Sequence, residues 1–137
     1  MALFYVDSSA LVKLVVDEPE STALRAFVTG ADLVSSELVL TEVPRAIHRA
    51  SANEPRLSLD LALSRAGELL DAIALLPLDR ALLAAAGAIE GPALRALDAI
   101  HVVAAVDLSP LDAFVSYDER QSAVARLANL RTLAPGT

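Results

Sequence analysis

The chain has 137 residues, 55% of them hydrophobic, no cysteine and a formal net charge of −7. This length fits a single domain, residues 1–137, with a substantial core, because two domains would each bury too little surface. The lack of cysteine excludes disulfides and thiolate-bound metals, and the negative charge argues against general binding of nucleic acid, since phosphate contacts need Lys and Arg.

Short apolar runs alternate with helical patterns along the chain. Five runs predict strands, at residues 3–6, 32–35, 73–76, 113–116 and 131–133. Helices are predicted between them, first from Ser8 or Ser9 as the capping residue, then within 17–30, 36–50, 58–71, 79–90, 94–108 and 118–128. The pair Gly91-Pro92 separates the fifth helix from the sixth. This alternation predicts a three-layer α/β/α fold, with a parallel sheet of four to five strands and helices on both faces.

Four acidic residues lie in otherwise apolar sequence: Asp7, Glu42, Asp98 and Asp118. Asp7 and Asp118 each follow a predicted strand, and the carboxyl ends of neighbouring parallel strands meet at one edge of a sheet, where ligands bind. The alternative for each is a helix cap, which stabilises a helix by about 1 kcal/mol. Two such residues at one edge favour a shared site.

Asp98 is the sole charged residue in the apolar range 96–106. Pro92 and the pattern that follows it predict a helix that starts well before Asp98, so the carboxylate should lie inside the helix. The alternatives are a cap for a helix that begins at Ala99, or an ion pair with Arg95. Because an unpaired buried carboxylate costs roughly several kcal/mol, a metal-binding role is favoured.

Glu42 shares one helix face with Arg45 and Arg49. One interpretation is a metal-binding carboxylate with arginines beside it for phosphate, and the other is a salt bridge from Glu42 to Arg45. Pro44 falls two residues after Glu42 and should kink the helix, because proline removes a backbone hydrogen bond. Such a kink would change the direction in which the Glu42 side chain points.

A cluster of four carboxylates requires cations, because two carboxylates about 4 Å apart repel by about 4 kcal/mol at an effective dielectric constant of about 20. Oxygen ligands without cysteine favour the hard ions Mg²⁺ and Mn²⁺. These ions bind phosphates and turn a bound water into a nucleophile. Metal-dependent phosphodiester hydrolysis is therefore the predicted reaction class.

These residues resemble the PIN-domain family, and specifically its VapC-type toxins of type II toxin–antitoxin pairs. The matching segments occur in the family's order: Phe4–Leu14, Thr41-Glu42-Val43 with Arg45-Ala46, Leu97–His101 and Val115–Arg120. The resemblance implies a Mg²⁺- or Mn²⁺-dependent endoribonuclease whose acidic quartet is Asp7, Glu42, Asp98 and Asp118. It makes Asp7 and Asp98 the strongest metal-ligand candidates. It also implies an RNA substrate, a cognate antitoxin that holds the enzyme inactive, and a homodimer.

Several polar residues near the acids are candidates for supporting parts. Ser8 and Ser116 are predicted to hold a carboxylate or a metal-bound water, and capping or turn hydrogen bonds are the alternative. Arg45 and Arg120 are the candidates for phosphate contact, with a solvated surface position as the alternative. His101 lies in the apolar sixth helix and is predicted to be a hydrogen-bonded core histidine rather than a base.

No apolar run approaches the roughly 18–20 residues of a membrane span, and no basic segment precedes an apolar one at the N-terminus. We therefore expect no signal peptide and a cytoplasmic location. A competing function is a catalytically silent PIN scaffold that binds proteins and retains its acids as caps. Aspartyl phosphotransfer is disfavoured, because Ser9 stands where that chemistry uses a second acid and no lysine follows Lys13.

Overall fold

The computed structural model describes residues 1–91 and 94–137, so the predicted break at Gly91-Pro92 lies partly outside the described residues. Within these ranges the chain forms five strands: β1 (Leu3–Val6), β2 (Asp32–Ser36), β3 (Ala74–Leu76), β4 (Ala113–Val115) and β5 (Thr132–Leu133). It also forms seven helices: α1 (Ser8–Val15), α2 (Ser21–Val28), α3 (Val39–Asn53), α4 (Leu59–Ala72), α5 (Arg80–Gly87), α6 (Ala96–Asp107) and α7 (Glu119–Leu127). None of these seven has both the length and the apolar character that crossing a membrane requires.

All five strands are parallel and lie in the order β3-β2-β1-β4-β5. β1 is central, with Tyr5 opposite Val34 of β2 and Phe114 of β4. Because the strands are parallel, β1 and β4 end at the same edge of the sheet. β1 ends directly before Asp7, and β4 ends three residues before Asp118. That edge is where an open α/β sheet binds its ligands.

Alternate residues of β1 enter two separate hydrophobic cores, because successive side chains of a strand point to opposite faces of the sheet. Phe4 and Val6 pack with apolar side chains of α1 to α4, among them Leu11 and Ile47. Tyr5 points to the other face and packs with side chains of α5, α6 and α7. Helices therefore cover both faces, and the predicted three-layer α/β/α fold with a parallel sheet is confirmed.

The capping residue of α1 and the start of α3 differ from the prediction. Asp7, rather than either of the serines that follow it, caps α1, because its Oδ1 accepts a hydrogen bond from the backbone N of Ala10 at 3.0 Å. α3 begins at Val39 rather than at Ser36, because Ser36 still belongs to β2. This capping bond holds Asp7, the first of the predicted site residues, at the start of α1, so the backbone of the helix sets the position of its carboxylate.

Pro44 lies inside α3, which continues through it to Asn53. The proline lacks the N–H that would bond the carbonyl of Leu40, four residues before it, yet the helix does not end there. Glu42 consequently occupies the first turn of an uninterrupted helix. This turn follows β2 and faces the same edge of the sheet as the end of β1.

Candidate functional site

Asp7 is buried at the carboxyl end of the central strand, with 2% of its surface exposed. Its Oδ1 accepts hydrogen bonds from Ser9 Oγ at 2.6 Å and from the backbone N of Ala10 at 3.0 Å. Its Oδ2 accepts from Ser116 Oγ at 2.6 Å and from Gln121 Nε2. A carboxylate has about four lone-pair sites, so these four donors satisfy it completely. The hydrogen bonds compensate for the burial of its charge.

Asp118 caps α7, since its Oδ1 accepts hydrogen bonds from the backbone N of Arg120 at 3.0 Å and of Gln121 at 3.2 Å. Its own backbone N donates to Ser116 Oγ at 3.0 Å. The Ser116 hydroxyl therefore lies between Asp118 and Asp7. From the sequence, helix capping and a shared position at one edge of the sheet were alternatives for Asp7 and Asp118. In the structure the two go together, because each aspartate caps a helix that begins at that edge.

Asp98 lies half-buried in the first turn of α6, where its Oδ2 accepts a hydrogen bond at 3.4 Å from the backbone N of Arg95. The helix begins at Ala96, so the prediction of an earlier start is wrong and Asp98 belongs to the helix end. Burial and then the negative charge of Asp118 raise the pKa of Asp98 above its usual range. The two carboxylates thus lie within electrostatic reach of each other.

Glu42 pairs with His101 rather than with Arg45, and its Oε1 lies 2.6 Å from the Nε2 of His101. His101 is 1% exposed, and its Nδ1 lies 2.8 Å from the hydroxyl of Tyr5. His101 is therefore a hydrogen-bonded core histidine, as the sequence predicted, but its partner is one of the four acids. The pair connects α3 to α6, on which Asp98 lies one turn before His101.

The four acids reach one edge of the sheet without forming a closed metal cage. Within residues 1–91 and 94–137, no three Asp, Glu or His side chains are grouped closely enough to hold a metal ion as they are placed. The reason is local, because the acids already have partners. Asp7 accepts four hydrogen bonds, an oxygen of Asp118 caps α7, and Glu42 is bound to His101. To bind a metal, some of these oxygens would exchange a hydrogen bond for a metal–ligand bond.

A cleft of about 530 Å³ opens between α1 and α3, beside the serines that follow Asp7 at the end of β1. Ser8 and Ser9 lie on its α1 side, and Glu42 lies on its α3 side. Further along α3, Arg45 and Arg49 occupy the following turns of the same wall. Both arginines are exposed, so their guanidinium groups can reach a ligand in the cleft. An extended anionic ligand in the cleft would pass from these arginines towards the acids.

The opposite wall of this cleft is negatively charged around Lys13, which pairs with two glutamates. Its Nζ lies 2.9 Å from Glu20 and 3.3 Å from Glu18, and 4.8 Å from the ring centre of Tyr117. Burial, followed by the negative charges of Glu20 and Asp7, raises the pKa of Tyr117 to about 12. Because Lys13 already has two acidic partners, the uncompensated positive charge of the cleft lies on α3.

Gln121 is a site residue that the sequence analysis missed. Its side chain is 2% exposed, and its amide donates to Asp7 Oδ2 and, at 3.1 Å, to Ser116 Oγ. Its position three residues after Asp118 is the spacing of a capping box, a signal that could have drawn attention to it. Ser9 also has a larger part than predicted. Its hydroxyl donates to Asp7 and accepts a 2.9 Å hydrogen bond from the backbone N of Tyr117, so it joins Asp7 to the loop after β4.

The predicted supporting residues fall into different places. Ser116 contacts Asp7 directly, whereas Ser8 lines the cleft and has no hydrogen bond to that acid among the described residues. Arg45 lies on the cleft wall. Arg120 is exposed at the start of α7 and is not among the described residues that line the cleft. The structure therefore brings Ser116 and Arg45 to the site and leaves Ser8 and Arg120 further from the carboxylates.

The fold is that of a small three-layer α/β/α domain with acidic residues at the carboxyl edge of its parallel sheet, and comparison with known families identifies it further. The family profile of the PIN domain matches residues 4–127. The chain therefore belongs to the PIN-domain family.

Three relatives from Mycobacterium tuberculosis match almost the entire chain. Ribonuclease VapC47 is 37% identical over 140 residues, which cover 98% of this chain and 98% of the relative. Ribonuclease VapC46 is 38% identical over 138 residues, or 98% of this chain and 99% of the relative. Ribonuclease VapC35 is 36% identical over 140 residues, with 98% of each chain covered. Within its family, the chain is thus similar to VapC proteins over its full length.

A solved structure shares the architecture. The crystal structure of PAE2754 from Pyrobaculum aerophilum superposes with a TM-score of 0.58, covering 93% of this chain and 90% of that one. The identity between the two sequences is 18%, so the likeness concerns the fold alone.

Proposed function

We propose that the chain is an endoribonuclease that depends on Mg²⁺ or Mn²⁺ and acts as the toxin of a toxin–antitoxin pair. The observation that carries the proposal is that four separate segments bring acids to one edge of the sheet: Asp7, Glu42, Asp98 and Asp118. Relatives named as ribonucleases, with identities of 36% to 38%, support RNA as the substrate and phosphodiester hydrolysis as the reaction.

The donor set fits a hard divalent ion. Carboxylate oxygens are the ligands that Mg²⁺ and Mn²⁺ prefer. The raised pKa of Asp98 reflects in part the negative charge of Asp118, and a cation between them would relieve this repulsion. Two of the donors to Asp7 are serine hydroxyls, which can rotate away and leave a lone pair for a cation. Asp7, Asp98 and Asp118 would therefore hold the ion, and Glu42 would complete the quartet from α3.

A bound divalent ion supplies the activation of a water for attack on the phosphodiester bond. The chain's own residues bind and orient the substrate around that point. Arg45 and Arg49 contact RNA phosphates along the cleft, because their exposed guanidinium groups lie on the wall that leads to Glu42. Ser116 and Gln121 keep Asp7 in position through hydrogen bonds from the neighbouring strand and helix.

The proposal is tested by RNA cleavage with Mg²⁺ or Mn²⁺, comparing the wild type with Asp98→Asn. The amide keeps the shape of the side chain and removes its charge, so we expect activity to fall by more than about 100-fold, the upper value for losing an outer-shell partner of a metal. Asp60→Asn is the matched control, because Asp60 also lies in the first turn of a helix and is exposed. Cleavage that persists in Asp98→Asn, or without divalent ions, would rule out the mechanism.

A second candidate function, a catalytically silent PIN scaffold that binds proteins, is favoured by one observation. Asp7 is already satisfied by four hydrogen bonds and caps α1, so it has a structural part without any metal. Calorimetry with Mn²⁺ separates the two functions. Binding that disappears in Asp7→Asn supports the enzyme, and the lack of heat at millimolar Mn²⁺ supports the scaffold.

The toxin assignment also implies partners and a location. A cognate antitoxin would occupy the cleft between α1 and α3 and block access to the acids, and the toxin itself would form a homodimer in the cytoplasm, where its RNA substrate lies. Light scattering on the purified chain checks the dimer against the monomer mass of 14.3 kDa. Co-purification with the product of an adjacent reading frame, with loss of RNA cleavage in the complex, checks the antitoxin.

A further inference from the structure

A buried relay of three side chains runs from the central strand to the cleft. The hydroxyl of Tyr5 lies 2.8 Å from His101 Nδ1, and His101 Nε2 lies 2.6 Å from Glu42 Oε1. Tyr5 is 0% exposed and His101 1%, while the side chain of Glu42 is 19% exposed at the cleft wall. The relay therefore begins in the core and ends at one of the four acids.

The contacts fix the hydrogen on His101 if the imidazole is neutral. A carboxylate oxygen only accepts, so at 2.6 Å the facing Nε2 must carry the hydrogen. Nδ1 is then an acceptor, and the Tyr5 hydroxyl donates to it. The same rule holds for metal-ligating histidines, in which the partner of one ring nitrogen sets the state of the other.

We propose that His101, anchored at its Nδ1 by the Tyr5 hydroxyl, is the positioning residue for Glu42. It binds Oε1 and leaves Oε2, which has no hydrogen-bond partner among the described residues, for the chemistry in the cleft. This inference rests on the proposed function, since it assigns Glu42 a part in the reaction. His101 itself touches neither substrate nor metal and acts through Glu42.

The physical reason for such a residue is conformational entropy. Glu42 has a long side chain on a helix at the cleft wall, and fixing a free glutamate side chain loses much of its rotamer entropy. His101 fixes it beforehand from α6, whose position is set by packing against the sheet. Removing hydrogen-bond partners that orient metal ligands typically lowers metal affinity or activity by about 10- to 100-fold.

The first experiment reads the tautomer of His101 by ¹⁵N NMR of the imidazole in the metal-free protein. We expect the pattern of Nε2–H in the wild type and in Tyr5→Phe, because the Glu42 carboxylate accepts in both, and a mixture of tautomers in Glu42→Ala, because the Tyr5 hydroxyl can donate or accept. His48 is an internal reference, since it is exposed on α3. A neutral Nδ1–H form in the wild type would overturn the inference, because Nε2 would then carry no hydrogen for Glu42.

The second experiment compares His101→Leu with His101→Gln. The amide Nε2 of glutamine can replace the imidazole donor to Glu42, whereas leucine fills similar space without a donor. We expect leucine to lower kcat and Mn²⁺ affinity by about 10- to 100-fold with the KM for RNA nearly unchanged, and glutamine to restore much of the loss. Equal Mn²⁺ affinities and equal kcat values in the two variants would contradict the inference.

The two experiments distinguish this inference from the proposed function. If the wild type neither cleaves RNA nor binds Mn²⁺, the proposed function fails, and the tautomer in the wild type still decides whether His101 donates to Glu42. If the wild type cleaves RNA and His101→Leu cleaves it equally well, the positioning role fails and the proposed function stands. Melting curves of each variant show whether a loss of activity reflects unfolding; if His101→Leu fails to fold, the tautomer of the wild type decides.

Discussion

The hydroxyl of Ser116 lies 2.6 Å from Asp7 Oδ2, although 109 residues separate the two along the chain. The contact exists because β1 and β4 are neighbours in the sheet, with Val6 opposite Val115. The same hydroxyl accepts a hydrogen bond from the backbone N of Asp118 at 3.0 Å. The pairing of β1 with β4 therefore fixes the position of Asp7 relative to Asp118.

Ser116→Ala should destabilise the protein by about 1–3 kcal/mol, because it leaves a buried oxygen of Asp7 with one donor fewer and the N–H of Asp118 without its acceptor. Urea unfolding monitored by circular dichroism measures the change. Ser64→Ala is the matched control, since Ser64 is exposed on α4 and should change stability by less than about 0.5 kcal/mol. Equal effects of the two substitutions would show that the Ser116 hydroxyl does not stabilise the site.

Gln121→Glu places a carboxylate where an amide now donates to Asp7 Oδ2. Without metal, repulsion between the two acids should lower Tm relative to the wild type. With Mn²⁺, the added negative charge should strengthen cation binding, so Tm should rise by more than it does in the wild type. Gln121→Leu separates the two effects, because it removes the donor without adding charge. A Tm of Gln121→Glu that ignores Mn²⁺ would argue against a cation beside Asp7.

The fold could be predicted from the sequence because its signals are local. Apolar runs such as 3–6 and 113–115 are each followed directly by a polar residue, and strand–helix alternation leaves few arrangements other than a covered parallel sheet. The convergence of Asp7 and Asp118 followed from the same argument, since both come after parallel strands. These inferences need only the order of elements.

The hydrogen-bond partners in the site could not be predicted in the same way. Glu42 and His101 are 59 residues apart, and Gln121 and Asp7 are 114 apart, so their contacts depend on how α3, α6 and α7 pack. Local signals pointed instead to Arg45 as the partner of Glu42, because it lies on the next turn. Tertiary packing instead places the buried imidazole of His101 2.6 Å from Glu42, and His101, rather than Arg45, forms the hydrogen bond.

Asp98→Asn should raise the stability of the metal-free protein at neutral pH. Because the folded-state pKa of Asp98 is raised by burial and by Asp118, the folded protein holds this proton more tightly than the unfolded chain does. The associated stability is present at acid pH and is lost as the pH rises through that pKa. The Tm of Asp98→Asn should therefore exceed that of the wild type by less as the pH falls towards the usual pKa range of an aspartic acid.

With Mn²⁺ the wild type should become more stable than Asp98→Asn, because the metal would stabilise the wild type and not the variant. Thermal melts across a pH series, with and without Mn²⁺, measure both effects. Asp60→Asn, at another helix start, controls for the charge change alone. A wild type that is more stable than Asp98→Asn at neutral pH without metal would show that the Asp98 charge is not destabilising.

Arg45→Ala and Arg49→Ala should weaken RNA binding with little change in kcat, since these exposed arginines line the cleft away from the buried acids. Each lost phosphate contact should reduce the slope of log affinity against log salt by about 0.7, the value for single-stranded nucleic acid. Fluorescence anisotropy with a labelled RNA across a salt series measures the slope. Arg65→Ala, on the exposed face of α4, removes the same charge outside the cleft and should leave the slope unchanged. If all three variants shift the slope equally, the effect is one of net charge, and the RNA does not follow the α3 wall.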